Sequence, residues 1–500
     1  MFKRLLKENY FLVFSIFLFL NFIFFENNES SILITARHVY NPSWIATDWW
    51  LNTGIEYGAV FNYFAGFIYE LTNFTATFIL GRIYVYLLWA YIFTKWFKRL
   101  SIPIWMIPLS VCIFQKNEGI YFGEWMFSGF ETKTFAYLSF FFALEFLFKK
   151  RFIKSAFFLG LSVSFHVLVG VYLTLAFAAI VFIKEWKNLT LKEIIFKISP
   201  AYFFGSIFGI IAVVKWLLTK NLTDAITVKT GSIIYVTKRV FHHVMFQSNL
   251  SLYVFIFLFV IGLIYISRNK SLDKSLNYLY LIATFSLLYL ITGIYFSING
   301  PQEMLKFYFF RTPDVLVPFT VVLTFIAFFS SYIQKFNHKK YYQFFVTFIL
   351  LIGISRTLYR FEKGRQLFLT NFQDKNDSAY QWVKEHTAKD DSFIVNVKNE
   401  RFYLFAERPI LVAFKHSPQK EKHIVEWYNR ITELNNGTPP ASSSWQIMHE
   451  IENNFKNLKK EKLIEIGKKY NLKYVFVENK FRFDLPVAYQ SEKYTIFKLF

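Results

Sequence analysis

The sequence predicts a polytopic α-helical membrane protein of about eleven transmembrane helices with a small C-terminal α/β soluble domain. Three observations carry this. Of 500 residues, 54% are hydrophobic and only 18% charged, against roughly 25% charged in ordinary soluble domains. Apolar runs of spanning length recur along the first 358 residues. From residue 359 onward the composition changes: 24 Lys and Arg and 18 Asp and Glu stand in that stretch, and no run there is long enough to span. The predicted domains are therefore 1–358 in the membrane and 359–500 outside it.

Taken in order, the run Phe11–Phe25 follows Lys3, Arg4 and Lys7 and reads as an uncleaved anchor, since no small-residue cleavage site follows. Further runs lie near 76–94, 102–114, 133–148, 155–183, 198–218, 251–267, 275–297, 313–334 and 341–358. The 29 residues of 155–183 are long for one crossing and short for two. Charge arbitrates, because Lys and Arg favour the cytoplasmic side. If the run turns near His166 and crosses twice, 20 Lys and Arg fall in the inner segments and 8 in the longer outer loops. A single crossing would put the basic clusters Arg268–Lys274 and Lys335–Lys340 outside. Two crossings place the N-terminus in the cytoplasm and the C-terminal domain outside, periplasmic on the inner membrane of a bacterial host.

This layout absorbs the net charge of +22, much of which sits in short inner loops, and no basic groove with interleaved aromatics points to nucleic acid. The single Cys112 excludes a disulfide framework. No Ser-His-Asp order, P-loop or Gly-rich nucleotide loop is present.

The outer loops gather the scarce polar chemistry. In the first, Asp48 stands between Trp44 and Trp49-Trp50. A carboxylate beside apolar rings is desolvated and suited to general-base work, although an incidental capping Asp in an aromatic belt has the same pattern. The second carries Glu124 in Gly-Glu-Trp-Met-Phe, then Glu131 and Lys133 at a helix entrance, where capping also accounts for an acid. His166 falls at the turn of 155–183; a titratable group at membrane depth is a functional candidate, or an imidazole bonded to a carbonyl between half-helices. Lys238-Arg239 with His242-His243, and Lys306 with Arg311, are cations on the side where cations are rare. They fit an anionic ligand such as a phosphate, or a pairing of Arg311 with Asp314. Arg82 lies inside a helix and has Glu56, Glu70 or the interface as its options.

In the C-terminal domain, helices are expected near 378–387, 420–434, 443–455 and 457–470. Strands are expected at 393–397, 409–414, 473–478 and 494–499. Arg408, Lys415 and Arg430 would face the membrane-domain cavity, or serve as surface charge and fixed Arg–Glu pairs.

Acids, a His and cations on one side of a helical bundle capped by a domain resemble the GT-C class of membrane glycosyltransferases. Those enzymes carry a catalytic Asp or Glu in the first outer loop, the place Asp48 occupies here, although the loop has no Asp-x-Asp pair. Closer still, three membrane stretches and several soluble ones are similar to a family of uncharacterised bacterial multi-pass proteins carrying a domain of unknown function. In the membrane part these are Gly129-Phe-Glu131-Thr-Lys133, Gly160-Leu-Ser-Val-Ser-Phe-His166 and Phe307-Tyr-Phe-Phe-Arg311-Thr-Pro-Asp314. In the soluble part they include Glu407-Arg408-Pro409, Phe414-Lys415-His-Ser-Pro418 and Glu426-Trp427-Tyr-Asn-Arg430.

The GT-C resemblance implies transfer of a sugar from a polyprenyl-phosphate carrier, held among membrane lipids, to an acceptor hydroxyl at the outer leaflet. Asp48 would be the base, Glu124 or Glu131 would orient the acceptor or a divalent metal that no motif indicates, and His166, Arg239, Lys306, Arg311 and Lys133 would hold the carrier phosphate. Replacing Asp48 by Asn is expected to abolish transfer while leaving folding and insertion intact. A flippase for an anionic lipid-linked substrate and a non-catalytic assembly protein are the alternatives.

Overall fold

A computed structural model describes residues 9–26, 28–54, 57–220, 223–268, 274–335 and 339–500. Lys3, Arg4, Lys7 and Glu56 lie outside these. Among the described residues, seven helices are long and apolar enough to cross a membrane: Phe74–Arg99, Val167–Asn188, Leu191–Thr219, Leu250–Arg268, Lys274–Ile298, Arg311–Gln334 and Tyr341–Asn376. Three shorter apolar helices, Tyr10–Phe22, Ile104–Lys116 and Phe152–Phe165, join them. Thr132–Phe148 supplies another, so every apolar run read from the sequence falls on a helix.

Side-chain exposure shows why this bundle belongs in lipid. Trp89, Trp96 and Phe14 are fully enclosed, whereas Phe204 is 71% and Phe257 64% exposed on helices that have no polar face. Such surfaces are stable only against hydrocarbon, where helices satisfy their own backbone groups.

The run 155–183 is broken at His166, whose extended backbone ends the helix Phe152–Phe165 and opens Val167–Ile180. Small residues pack the first half of the run against the helix Ser199–Lys220. Gly160 and Gly205 let two helices meet backbone to backbone, and a Cβ at either would lie 2.2 Å from a carbonyl oxygen of the other helix. Ser164 Oγ donates to Gly205 O at 2.6 Å in the same seam.

The stretch between the first two apolar helices holds more structure than its composition suggests. Glu29–Tyr40 and Ala59–Leu71 are helices, packed together where Gly66 sits against the Ala36 carbonyl. Arg82 is sealed beneath them with 0% exposure. It does not pair with Glu70. Its Nε donates to Glu29 at 2.8 Å, and its Nη atoms donate to the carbonyls of Phe22 and Phe25. Glu70 pairs instead with Arg37 at 3.5 Å. At a distant point of the bundle, Glu145 is engaged by Arg99 at 2.6 Å.

Tyr341–Asn376 continues unbroken past residue 358, and its last turns pack Phe368 and Phe372 on Phe78 and Phe74. The C-terminal domain then folds around a four-stranded sheet. Its strands are β1 (Phe393–Val395), β2 (Tyr474–Glu478), β3 (Val487–Gln490) and β4 (Tyr494–Lys498), in the order β1-β2-β4-β3. β1 and β2 are parallel and the other pairs antiparallel. Helices Ser378–His386, Glu421–Leu434, Gln446–Phe455 and Lys460–Tyr470 lie close to where the sequence predicts them.

The segment 409–414 is not the strand that its apolar pattern predicts. It lies beside β1 through Phe393 N to Pro409 O and Leu411 N to Phe393 O, forming one isolated bridge. Pro409 has no N–H to give to the ladder, and the Ile410 amide, on the edge turned away from β1, is taken by the Asp48 carboxylate at 3.2 Å.

Candidate functional site

Between the ends of the membrane helices and the C-terminal domain lies a cavity of about 470 Å³. One wall is cationic. Arg311 opens the helix Arg311–Gln334, and Lys306 ends the 3-10 turn Gln302–Phe307. The chain between them turns at Tyr308, held in the left-handed region at φ 54°. That turn stacks the tyrosine ring 3.9 Å from the Arg311 guanidinium carbon, and the Tyr308 hydroxyl is bonded to Tyr235 at 2.7 Å.

Arg311 is oriented from behind. Its Nη1 donates to His166 Nε2 at 2.9 Å, and its Nε lies 3.4 Å from Glu124 Oε2. Arg is an obligate donor, so this contact requires an unprotonated Nε2. The longer approach of the Val169 amide to Nδ1, 3.4 Å, would demand the opposite tautomer, and the shorter bond decides. His166 is thus a neutral acceptor that aims Arg311 while one face lines the cavity. Glu124 is also paired with Lys133 at 3.4 Å, and Lys133 lies over the Trp125 ring. The Trp125 indole donates to Glu131, whose carboxyl is pushed up by burial.

Asp314 does not pair with Arg311. It accepts the amides of Tyr121, Phe122 and Glu124 at 3.1, 3.1 and 2.9 Å and so fixes the turn that carries Glu124.

The adjoining wall is apolar, built by Phe165, Val167, Leu168, Val213 and Trp216, and the side toward the first outer loop carries Ser31, Thr35, Trp50 and Asn62. The C-terminal domain contributes Ser417, Gln419, Glu421 and Ile424. Glu421 accepts from Lys306 Nζ at 2.7 Å, and Lys306 also reaches Ser232 Oγ at 2.9 Å. The sequence gave no signal for Glu421: in Gln419-Lys420-Glu421-Lys422 it has the pattern of an ordinary solvated helix start. Only its seat on the segment Ala225–Ile234 makes it a cavity residue.

Other residues singled out in the sequence lie beyond this lining. Asp48 has 0% exposure and both oxygens engaged: Oδ1 accepts Leu51 N at 2.9 Å, and Oδ2 accepts Tyr403 OH at 2.8 Å and Ile410 N. Burial raises its carboxyl above the usual range, against those three bonds. Two residues on, Trp50 reaches the cavity and stacks on His416 with ring centres 4.0 Å apart. Arg239 donates to Lys415 O at 3.2 Å, and Lys415 pairs with Glu400 at 3.0 Å. Arg408 is spent on the carbonyls of Lys384 and Thr387, at 3.0 and 2.9 Å, where it caps a helix end. Arg430 pairs with Glu426 at 2.8 Å and covers the Trp49 ring. The site therefore brings together Arg311, His166, Glu124, Lys133 and Lys306. It leaves Asp48, Arg239, Lys415, Arg408 and Arg430 in the joint between the two parts or in the C-terminal domain. Among the described residues no group of three His, Cys, Asp or Glu side chains is placed to hold a metal ion.

Comparison with known proteins adds three findings. The model of a domain of unknown function (DUF6798) matches residues 375–434. No curated protein matches the sequence. Among solved structures, the chain is similar to ArnT from Cupriavidus metallidurans bound to undecaprenyl phosphate, with 9% identity, 100% of this chain and 98% of that chain covered, and a TM-score of 0.48. It is also similar to the archaeal oligosaccharyltransferase AglB from Archaeoglobus fulgidus in complex with an inhibitory peptide and a dolichol-phosphate, with 12% identity, 95% and 70% covered, and a TM-score of 0.39.

Proposed function

We propose that this integral membrane protein is a GT-C type glycosyltransferase that moves a hexose or pentose from a polyprenyl-phosphate carrier to an acceptor hydroxyl at the outer leaflet. The supporting observation is the pairing of walls in one cavity: Lys306 and Arg311 beside an apolar surface of Phe165, Leu168, Val213 and Trp216. A ligand with an anionic head and a hydrocarbon tail is complementary to both at once, and a soluble nucleotide sugar is complementary to only one. In this reading Arg311 meets the carrier phosphate as a fork donor, with His166 and Glu124 fixing its plane. Lys133 acts through Glu124. When the sugar leaves, negative charge grows on the phosphate, so preorganised cations there stabilise the transition state more than the ground state.

Asp48, Arg239 and Lys415 act in this reading by seating the C-terminal domain over the cavity. For Asp48 to serve as the base, it would have to release Tyr403.

The buried polar residues that a transport path would use, Arg82 and Glu145, are consumed in ion pairs, which favours the transferase over a flippase.

The test is binding of undecaprenyl phosphate to the full-length protein in lipid nanodiscs. Loss of the Arg311 guanidinium removes charge-assisted hydrogen bonds of roughly 1.5–3 kcal/mol, so Arg311→Gln is expected to weaken binding about 10–100-fold. Equal affinity in wild type and variant, or no binding by either, would refute the reading.

A further inference from the structure

The cavity needs a group that takes the acceptor's proton, and the three outer-loop carboxylates singled out in the sequence, Asp48, Glu124 and Glu131, are occupied. Asp48 has three donors on its two oxygens and does not line the cavity. Glu124 faces Arg311 and Lys133, and it borders a separate void of about 20 Å³ that would hold little more than a water. Glu131 is bonded to the Trp125 indole.

Resting on the transferase reading, we propose that Glu421 of the C-terminal domain is the general base for the acceptor hydroxyl. Among the described residues it is the one carboxylate that lines the cavity. Its Oε1 is held by Lys306 at 2.7 Å, which fixes its rotamer. Its Oε2 accepts no hydrogen bond among the described residues and is left for an incoming hydroxyl. The backbone is pinned as well. Gly231 sits against residue 421, where a Cβ would come within 2.4 Å of the Glu421 carbonyl oxygen. The segment Ala225–Ile234 therefore delivers a carboxylate from one domain to a cation of the other, at the place where an acceptor entering under the C-terminal domain would meet the donor.

The step balances without a further reagent. The acceptor oxygen bonds to the anomeric carbon and gives its proton to Glu421 Oε2. The bond from that carbon to the carrier oxygen breaks, and its electron pair leaves with the polyprenyl phosphate beside Arg311 and Lys306. A proton later returns from Glu421 to water.

The experiment uses the full-length protein in nanodiscs of phosphatidylethanolamine and phosphatidylglycerol. A panel of undecaprenyl-phosphate hexoses and pentoses serves as donors, host envelope extract as acceptor, and release of undecaprenyl phosphate as the readout. Glu421→Gln keeps an acceptor for Lys306 but removes the base. It is expected to lower kcat by 100-fold or more, the ordinary weight of a positioned base, with the Kd for undecaprenyl phosphate within about threefold of wild type. Glu421→Ala should regain part of its kcat in sodium formate, which a merely structural role would not allow. Transfer by Glu421→Gln at a tenth of the wild-type rate or more would overturn the assignment and leave the transferase reading standing. A loss of undecaprenyl phosphate binding in proportion to kcat, or no formate rescue, would also overturn it. A wild-type protein that neither binds undecaprenyl phosphate nor releases it from any donor would overturn both.

Discussion

Asp48→Asn separates a structural carboxylate from a chemical one. The native group offers two acceptor oxygens to two backbone amides, Leu51 N at 2.9 Å and Ile410 N at 3.2 Å, and to the Tyr403 hydroxyl at 2.8 Å. Asparagine has one oxygen and one NH₂. In either orientation the NH₂ faces a backbone N–H that cannot reverse. Tyr403 can rotate its hydroxyl and accept, but neither amide can. One buried donor is orphaned, at about 1–3 kcal/mol, and a bond to a charged acceptor is lost, so the total is roughly 2–4 kcal/mol. The assay is thermal unfolding of the full chain in detergent. With about 2.1 cal/mol/K of unfolding entropy per residue, the midpoint should fall roughly 2–4 °C if all 500 residues melt together. If the C-terminal domain opens alone, the fall should be about three times larger. Undecaprenyl phosphate binding and turnover should decline together. An unchanged midpoint with binding intact and turnover abolished would refute the structural account and return Asp48 to the role of base.

Two further outcomes follow from local geometry. Burial pushes Glu118, which accepts the Met126 and Phe127 amides at 2.8 Å each, up to about 8. A carboxyl raised above its unfolded value near 4.3 favours folding at low pH and loses that contribution as pH climbs toward 8. Wild type should therefore be less stable at pH 8.5 than at pH 6, and Glu118→Gln, which keeps the carbonyl acceptor, should flatten that slope in the same melting assay; parallel slopes would contradict it. Gly66→Ala would place a Cβ 2.3 Å from the Ala36 carbonyl oxygen and prise apart the two helices of the first outer loop. It should cost about 1–3 kcal/mol, read as a lowered melting midpoint.

The membrane part was legible because lipid imposes length and composition on each helix separately; even the break at His166 could be placed from charge bias along a 29-residue run. The helices Glu29–Tyr40 and Ala59–Leu71 were not, because polar residues such as Asn62 and Arg37 interrupt the apolar runs that spans are read from. For the site, Lys306 and Arg311 stand out in the sequence as cations beside apolar runs, and both line the cavity. Their partners depend on tertiary folding: Asp314 is three residues from Arg311 yet bonds to amides nearly two hundred residues away, and Glu124 pairs with Arg311 instead. Glu421 was invisible because its meaning comes wholly from a seat on Ala225–Ile234. The outer edge of 409–414 is claimed in the same way, its Ile410 amide by a residue in another part of the chain.

That borrowed amide ties the two halves of the chain together. An excised fragment beginning near residue 378 would leave the Ile410 amide and the Tyr403 hydroxyl without the carboxylate that accepts them, and an unpaired edge amide is where sheets recruit neighbours. The extramembrane lobe is thus an organ of the whole molecule, and drift in its rim is constrained by a loop more than three hundred positions upstream.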